Sequence, residues 1–181
     1  KYQMQKASKL VLWYHESFRQ KRLKIWMVYI CILCNDMSLR SAIKFFEQYK
    51  FPTLIKSVFQ DFYEKRNLLI GVSDNQALHS SVMSRGEFAW SLKNIPHEAL
   101  IALSAVVIED ELAVKIKDYL LYDAEQKTSL NGDDLIKLGL SEGKLIGTIL
   151  KELYIEKINH QIFKREDEIT LVESKYLKKL D

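Results

Sequence analysis

Residues 130–150 read Leu-Asn-Gly-Asp-Asp-Leu-Ile-Lys-Leu-Gly-Leu-Ser-Glu-Gly-Lys-Leu-Ile-Gly-Thr-Ile-Leu. Four of the chain's six glycines fall here, at Gly132, Gly139, Gly143 and Gly147. Glycine weakens a helix, so its clustering inside a helical hydrophobic pattern needs a local cause. The spacing predicts a short helix, a tight turn and a longer helix. Asn131 suits the N-cap, Asp134 the third helical position, and Leu130 and Leu135 the two staple positions. Gly139 suits a left-handed residue just past the helix end, with Leu140 folding back onto Leu135. Ser141 is expected to cap the second helix. The first amides of that helix, near Gly143 and Lys144, would then face outward, and Gly147 would admit a close helix contact. A helix N-terminus carrying a glycine and a lysine can hold phosphate.

Outward from this stretch the apolar residues recur at helical spacing throughout. Residues 5–19 form one helix, with Leu10, Trp13, Tyr14 and Phe18 on a face. Residues 22–35 form an apolar helix, expected to be central. Ser38 caps a third, buried along Leu39, Ala42, Ile43 and Phe46. Pro52 opens a fourth that runs to about Ile70, with Leu54, Val58, Phe62 and Leu69 on one side. A loop at 71–75 and a short helix at 76–82 follow. Ser84 and Glu87 make a capping box, with Met83 and Phe88 as its staple. Further helices cover 96–107, 109–122 and, after the glycine-rich pair, 165–180. Period-two alternation is absent. The expected fold is all-α, an elongated or curved stack of about eleven helices, with a boundary near 123–130 that separates a 1–125 body from a 126–181 tail.

The chain has 181 residues, 48% hydrophobic and 28% charged, as a soluble globular protein does. Its net charge of +3 is unevenly spread. Residues 1–66 carry 13 basic and 5 acidic side chains, residues 67–125 carry 4 and 9, and residues 126–181 carry 10 of each. Basic segments around an acidic middle can follow a polyanion. Ordinary solvated helix faces give the same counts.

Cys31 and Cys34 form a C-x-x-C pair, but a structural zinc needs about two further ligands and none is spaced to supply them. Inside an apolar run they read as buried, reduced cysteines of a cytoplasmic protein. That run is about ten residues long, too short to span a bilayer. Lys21, Arg22 and Lys24 directly before it, and no small-residue cleavage site after it, argue against a signal peptide. His15, His79, His97 and His160 are scattered. No serine elbow, phosphate loop or dinucleotide glycine motif occurs. No residue is a candidate for catalysis or metal binding.

Gly132, Asp134, Leu135, Leu138, Gly139, Gly143, Gly147 and Leu150 together resemble a pattern of the bacterial class II tRNA nucleotidyltransferases and poly(A) polymerases. In that family it reads Gly-x-Asp-Leu-x-x-Leu-Gly-x-x-x-Gly-x-x-x-Gly-x-x-Leu. The resemblance is to the C-terminal body and tail of these enzymes. It extends more loosely to Trp26–Leu33, Leu39–Pro52 and Ser84–Leu103. One departure is that the family often has prolines beside the third glycine, where this chain has Glu142 and Lys144.

The resemblance implies a fold like the poly(A) polymerase C-terminal region and a role in positioning the tRNA acceptor/T arm. The partner domain would be an upstream catalytic head with two metal-binding aspartates. Nothing in this chain matches that head, and a first residue of Lys1 rather than Met is what a piece of a longer protein would have. Mg and ATP or CTP are implied for the head, and no cofactor for this chain. Asp133, Asp134 and residues 109–111 are consecutive on helices and read as first-turn charges that favour the helix dipole. This chain alone would be inactive.

RNA held by shape and phosphate calls for lysine and arginine. The candidates are Gly143 with Lys144, Lys151 two turns further on, Lys164 and Arg165, the pair Arg40 and Lys44, and Arg85. The competing reading is a helical protein-interaction module without RNA activity. DNA binding by a helix–hairpin–helix element is a lesser option, since Leu138-Gly139-Leu140 supplies only one glycine of the usual two.

Overall fold

The computed structural model describes residues 2–70, 83–108 and 110–177. The loop and short helix expected at 71–82, including His79, lie outside the described residues, as does the chain beyond 177. Among the described residues there are ten α-helices and no strand. They are α1 (Tyr2–Ser17), α2 (Ile25–Leu33), α3 (Leu39–Gln48), α4 (Thr53–Ile70), α5 (Arg85–Leu92), α6 (His97–Val106), α7 (Asp110–Asp118), α8 (Gly132–Lys137), α9 (Lys144–Ile158) and α10 (Arg165–Val172). Single π-helical turns occupy Tyr119–Asp123 and Glu173–Leu177. None of the described helices is long and apolar enough to cross a membrane. The chain divides into two compact units, Lys1–Val82 with Asn94–Leu121, and Met83–Lys93 with Tyr122–Asp181.

In the first unit α6 is the buried axis. Every residue from Ala99 to Val106 is buried, as a helix apolar on all sides must be, and α1, α2, α4 and α7 pack against it. Its only buried hydroxyl, Ser104, donates to the Leu100 carbonyl at 3.0 Å. The sequence reading put α2 at the centre, and the structure corrects this. Met27, Val28, Cys31 and Ile32 face inward, but Ile25, Trp26 and Leu33 are exposed. High apolarity alone does not distinguish a flank with one wet side from an axis. Leu54 on α4 is likewise exposed, and Ile55, Val58, Phe59, Phe62 and Leu69 carry that helix's burial. Cys31 and Cys34 are buried and unbridged.

Helix ends follow local chemistry. Ser38 accepts from the Ser41 amide at 3.2 Å. The Ser84–Glu87 capping box is closed in both directions. Phe88 is buried beneath it. Three helices end with the same doubled hydrogen bond past the last turn, with Lys50, Gly139 and His160 in the left-handed position.

The second unit is built on the α5–α9 pair and on the α8–α9 hairpin, closed by α10. Leu130, Leu135, Leu140, Ile149, Leu153, Ile162 and Val172 form its core. Gly86 makes the α5–α9 approach possible: a Cβ there would lie 2.4 Å from the Ile155 carbonyl oxygen. The Gly86 amide donates to the Asn159 side chain at 2.8 Å, which ties the start of α5 to the end of α9.

Candidate nucleic-acid interface

The α8–α9 hairpin is held in place from three sides. Asn131 accepts from the Asp134 amide at 3.0 Å, and the Asp134 carboxylate accepts from the Asn131 amide at 3.1 Å. Leu130 and Leu135, the staple pair, are both in the core. At the far end the Gly139 amide donates to the Ile136 carbonyl at 2.9 Å and the Leu140 amide to the Leu135 carbonyl at 3.2 Å. Gly139 takes φ +103°, a conformation costly for any residue with a Cβ. The third fixing point is Glu168 on α10, fully buried. Its carboxylate accepts from the amides of Ser129 and Leu130 at 2.8–2.9 Å and from Lys157 Nζ at 3.2 Å. A buried carboxylate is tolerable only when partnered this fully.

Two expectations for the turn need correction. The second helix does not start at a Ser141 cap. It starts at Lys144, with Gly143 in the N-cap position at φ +135° and no side chain capping it. Gly147 does not admit a close neighbour: nothing lies within 4 Å of where its Cβ would be. Both differences have one consequence. One face of the first two turns of α9 is open to solvent, with Lys144, Gly147, Thr148 and Lys151 all exposed at i, i+3, i+4 and i+7. That spacing is a single helix face. The two ammonium groups are carried on α-carbons about 10 Å apart along the axis, and neither is in an ion pair among the described residues. Thr148 turns its hydroxyl back to the Lys144 carbonyl at 3.2 Å, so only small residues, Gly147 and Thr148, stand between the lysines on this face.

The other predicted residues are placed differently. Arg165 donates to the Ser129 carbonyl at 2.8 Å and pairs with Asp134 at 3.0 Å. It thereby holds the Asp134 carboxyl below its ordinary range, together with the Asn131 amide. Lys164 is exposed just before α10. Its amide and that of Phe163 are accepted by Asp167 at 2.9 and 3.0 Å, which lowers the Asp167 carboxyl. Arg85 is clamped by Asp123, Nε to Oδ2 at 3.0 Å and Nη2 to Oδ1 at 2.7 Å. Arg40 and Lys44 are exposed on α3 in the first unit. Lys151 contributes to lowering the Glu87 carboxyl, after the larger effects of the Ser84 amide and hydroxyl.

Arg85 and Arg165 are therefore held in ion pairs by Asp123 and Asp134, and Lys144 and Lys151 are in none among the described residues. The sequence reading missed the buried Glu168 and the Gly86 contact, since each depends on a partner far along the chain. Among the described residues no group of His, Cys, Asp and Glu side chains could hold a metal ion. His97 is engaged within the first unit, 2.6 Å from the Tyr14 hydroxyl. Comparisons with protein-family models, curated proteins and solved structures found no significant match.

Proposed function

We propose that this chain is an RNA-holding helical region, serving a nucleotidyltransferase of the tRNA CCA-adding or A-adding kind by positioning the acceptor/T arm. The reading rests on the glycine pattern through Leu130–Leu150. The observation that carries it is the open α9 face, where Lys144 and Lys151 are exposed, unpaired and separated only by small residues. Two such cations on a rigid helix match a phosphate backbone read by charge and shape. The open amides at the Gly143 end add favourable dipole to the same face. Mg²⁺ and ATP or CTP, and the chemistry they supply, would belong to a head domain outside this chain.

A second reading has its own observation. Ile25, Trp26 and Leu33 expose an apolar side of α2 in the first unit, which suits a helical protein partner better than RNA. Salt-dependent binding separates the two. An RNA minihelix of acceptor and T arms should bind at low salt in preference to an unstructured RNA of equal length. A chain that binds neither RNA is a protein-interaction module.

A further inference from the structure

A cleft of about 620 Å³ opens in the second unit among Arg85, Tyr122, Gln126, Lys157, His160 and Phe163. It is distinct from the α9 face: it sits at the opposite end of that helix. Phe163 is 66% exposed and Tyr122 60% exposed, although both are large rings that a core would normally absorb. The Phe163 ring lies nearly parallel to that of His160, with centroids 6.2 Å apart and planes 17° apart. The backbone fixes this pair: Ile162 is buried before it, Asp167 accepts from the Phe163 amide, and His160 ends α9 in the left-handed position at φ 59°. Arg85 is held in place by Asp123 and reaches His160 Nε2 at 3.4 Å. The Gln126 amide nitrogen donates to the Tyr122 carbonyl at 3.3 Å, which leaves its own carbonyl oxygen as an acceptor.

The charge balance indicates what the cleft would take. Arg85 is neutralised by Asp123 and Lys157 by Glu168. A phosphate would find little net positive charge inside. A flat aromatic group with a hydrogen-bonding edge would find ring faces to stack on and fixed polar groups beside them. The exposed Lys164 next to Phe163 supplies a cation at the rim. We infer that this cleft holds one unstacked base of an RNA strand against the Phe163–His160 pair, with Arg85 and Gln126 meeting its edge. The assignment to RNA rests on the reading proposed above.

The test uses the full chain and two probes, each carrying 2-aminopurine at a single unpaired position: an acceptor/T-arm minihelix and a short single-stranded oligonucleotide. At one or more minihelix positions, binding should quench the fluorescence by stacking. Phe163→Ala should remove the quench and weaken binding roughly five- to 150-fold, the range for loss of one base–aromatic stack. Phe163→Trp should restore both, and Lys144→Glu should weaken binding while leaving the quench at saturation. If the minihelix binds but no position responds to Phe163→Ala, the cleft assignment is overturned and the interface reading stands. If only the single strand is quenched, through Phe163, the cleft stands and the acceptor-arm reading falls. Binding of neither probe overturns both.

Discussion

Gly86 and Ile155 meet backbone to backbone: the Gly86 α-carbon faces the Ile155 carbonyl so closely that a methyl group would sit 2.4 Å from its oxygen. Alanine ordinarily improves a helix by about 1 kcal/mol over glycine. Here the obstacle is a main-chain atom that cannot rotate aside, so α5 and α9 would have to separate. Gly86→Ala is expected to destabilise the second unit by about 3 kcal/mol, the upper end for an overpacked site. Urea unfolding followed by the fluorescence of Trp90, after Trp13 and Trp26 are replaced by phenylalanine, measures it. A neutral or stabilising result would mean that the two helices are not in this contact.

Glu168 is the second such dependence. It collects the Ser129 and Leu130 amides and the Lys157 ammonium with no exposure to solvent. Glu168→Ala leaves the buried Leu130 amide, the part-buried Ser129 amide and the Lys157 ammonium without their acceptor, at a cost of about 3–5 kcal/mol. Lys157→Met should cost less, because the amides keep their acceptor. The order of the two unfolding midpoints checks the assignment.

Acid should loosen the second unit through its helix caps. Asp134 is held low by Arg165 and the Asn131 amide, Asp167 by the Lys164 and Phe163 amides, and Glu87 by Ser84. A carboxyl lowered in the folded state adds stability above its ordinary value, 3.8 for aspartate and 4.5 for glutamate. That stability is lost as pH falls through the folded value. The variant Asp134→Asn/Asp167→Asn should be less stable than the parent at neutral pH, and the difference should shrink as the pH falls below the ordinary aspartate value of 3.8. Parallel stability–pH curves would contradict the role given to these caps.

Cys31 and Cys34 should be inert in the native chain. Burial pushes both thiols up, the neighbouring Cys34 adding to the effect at Cys31, and only the thiolate attacks a disulfide reagent. A colorimetric aromatic disulfide should label neither at about pH 8 until denaturant is added. Rapid labelling of the folded chain would place a reactive pair here instead.

The sequence was most legible where a structure closes within one helical turn. Asn131 with Asp134, Ser84 with Glu87, Ser38 and the Gly139–Leu140 return could all be placed because donor and acceptor are near neighbours. Gly147 misled because a glycine within a helix does not reveal whether its bare side meets a partner or water. Gly86 is the mirror case: it stands between Ser84 and Glu87 inside the capping box, and its absent side chain serves the approach of α9. Arg85 and Arg165 are candidates by residue type alone, and the carboxylates of Asp123 and Asp134 that pair with them lie far along the chain. Arginine suits such two-point carboxylate pairing, and lysine on an open helix face is left to solvent. The part of the site that sequence could not separate was thus the division between structural and unoccupied cations.

That division supplies the most direct measurement. Binding of the acceptor/T-arm minihelix should be followed over a range of salt for the parent chain and for Lys144→Glu/Lys151→Glu, both positions being exposed and unpaired. Each phosphate contact contributes about 0.7–0.9 to the slope of log affinity against log salt. The double variant should bind at least tenfold more weakly at low salt, with a slope shallower by roughly 1.5, and should unfold at the same urea concentration as the parent. Equal affinity and slope for parent and variant, or no preference for the minihelix over unstructured RNA, would contradict the account.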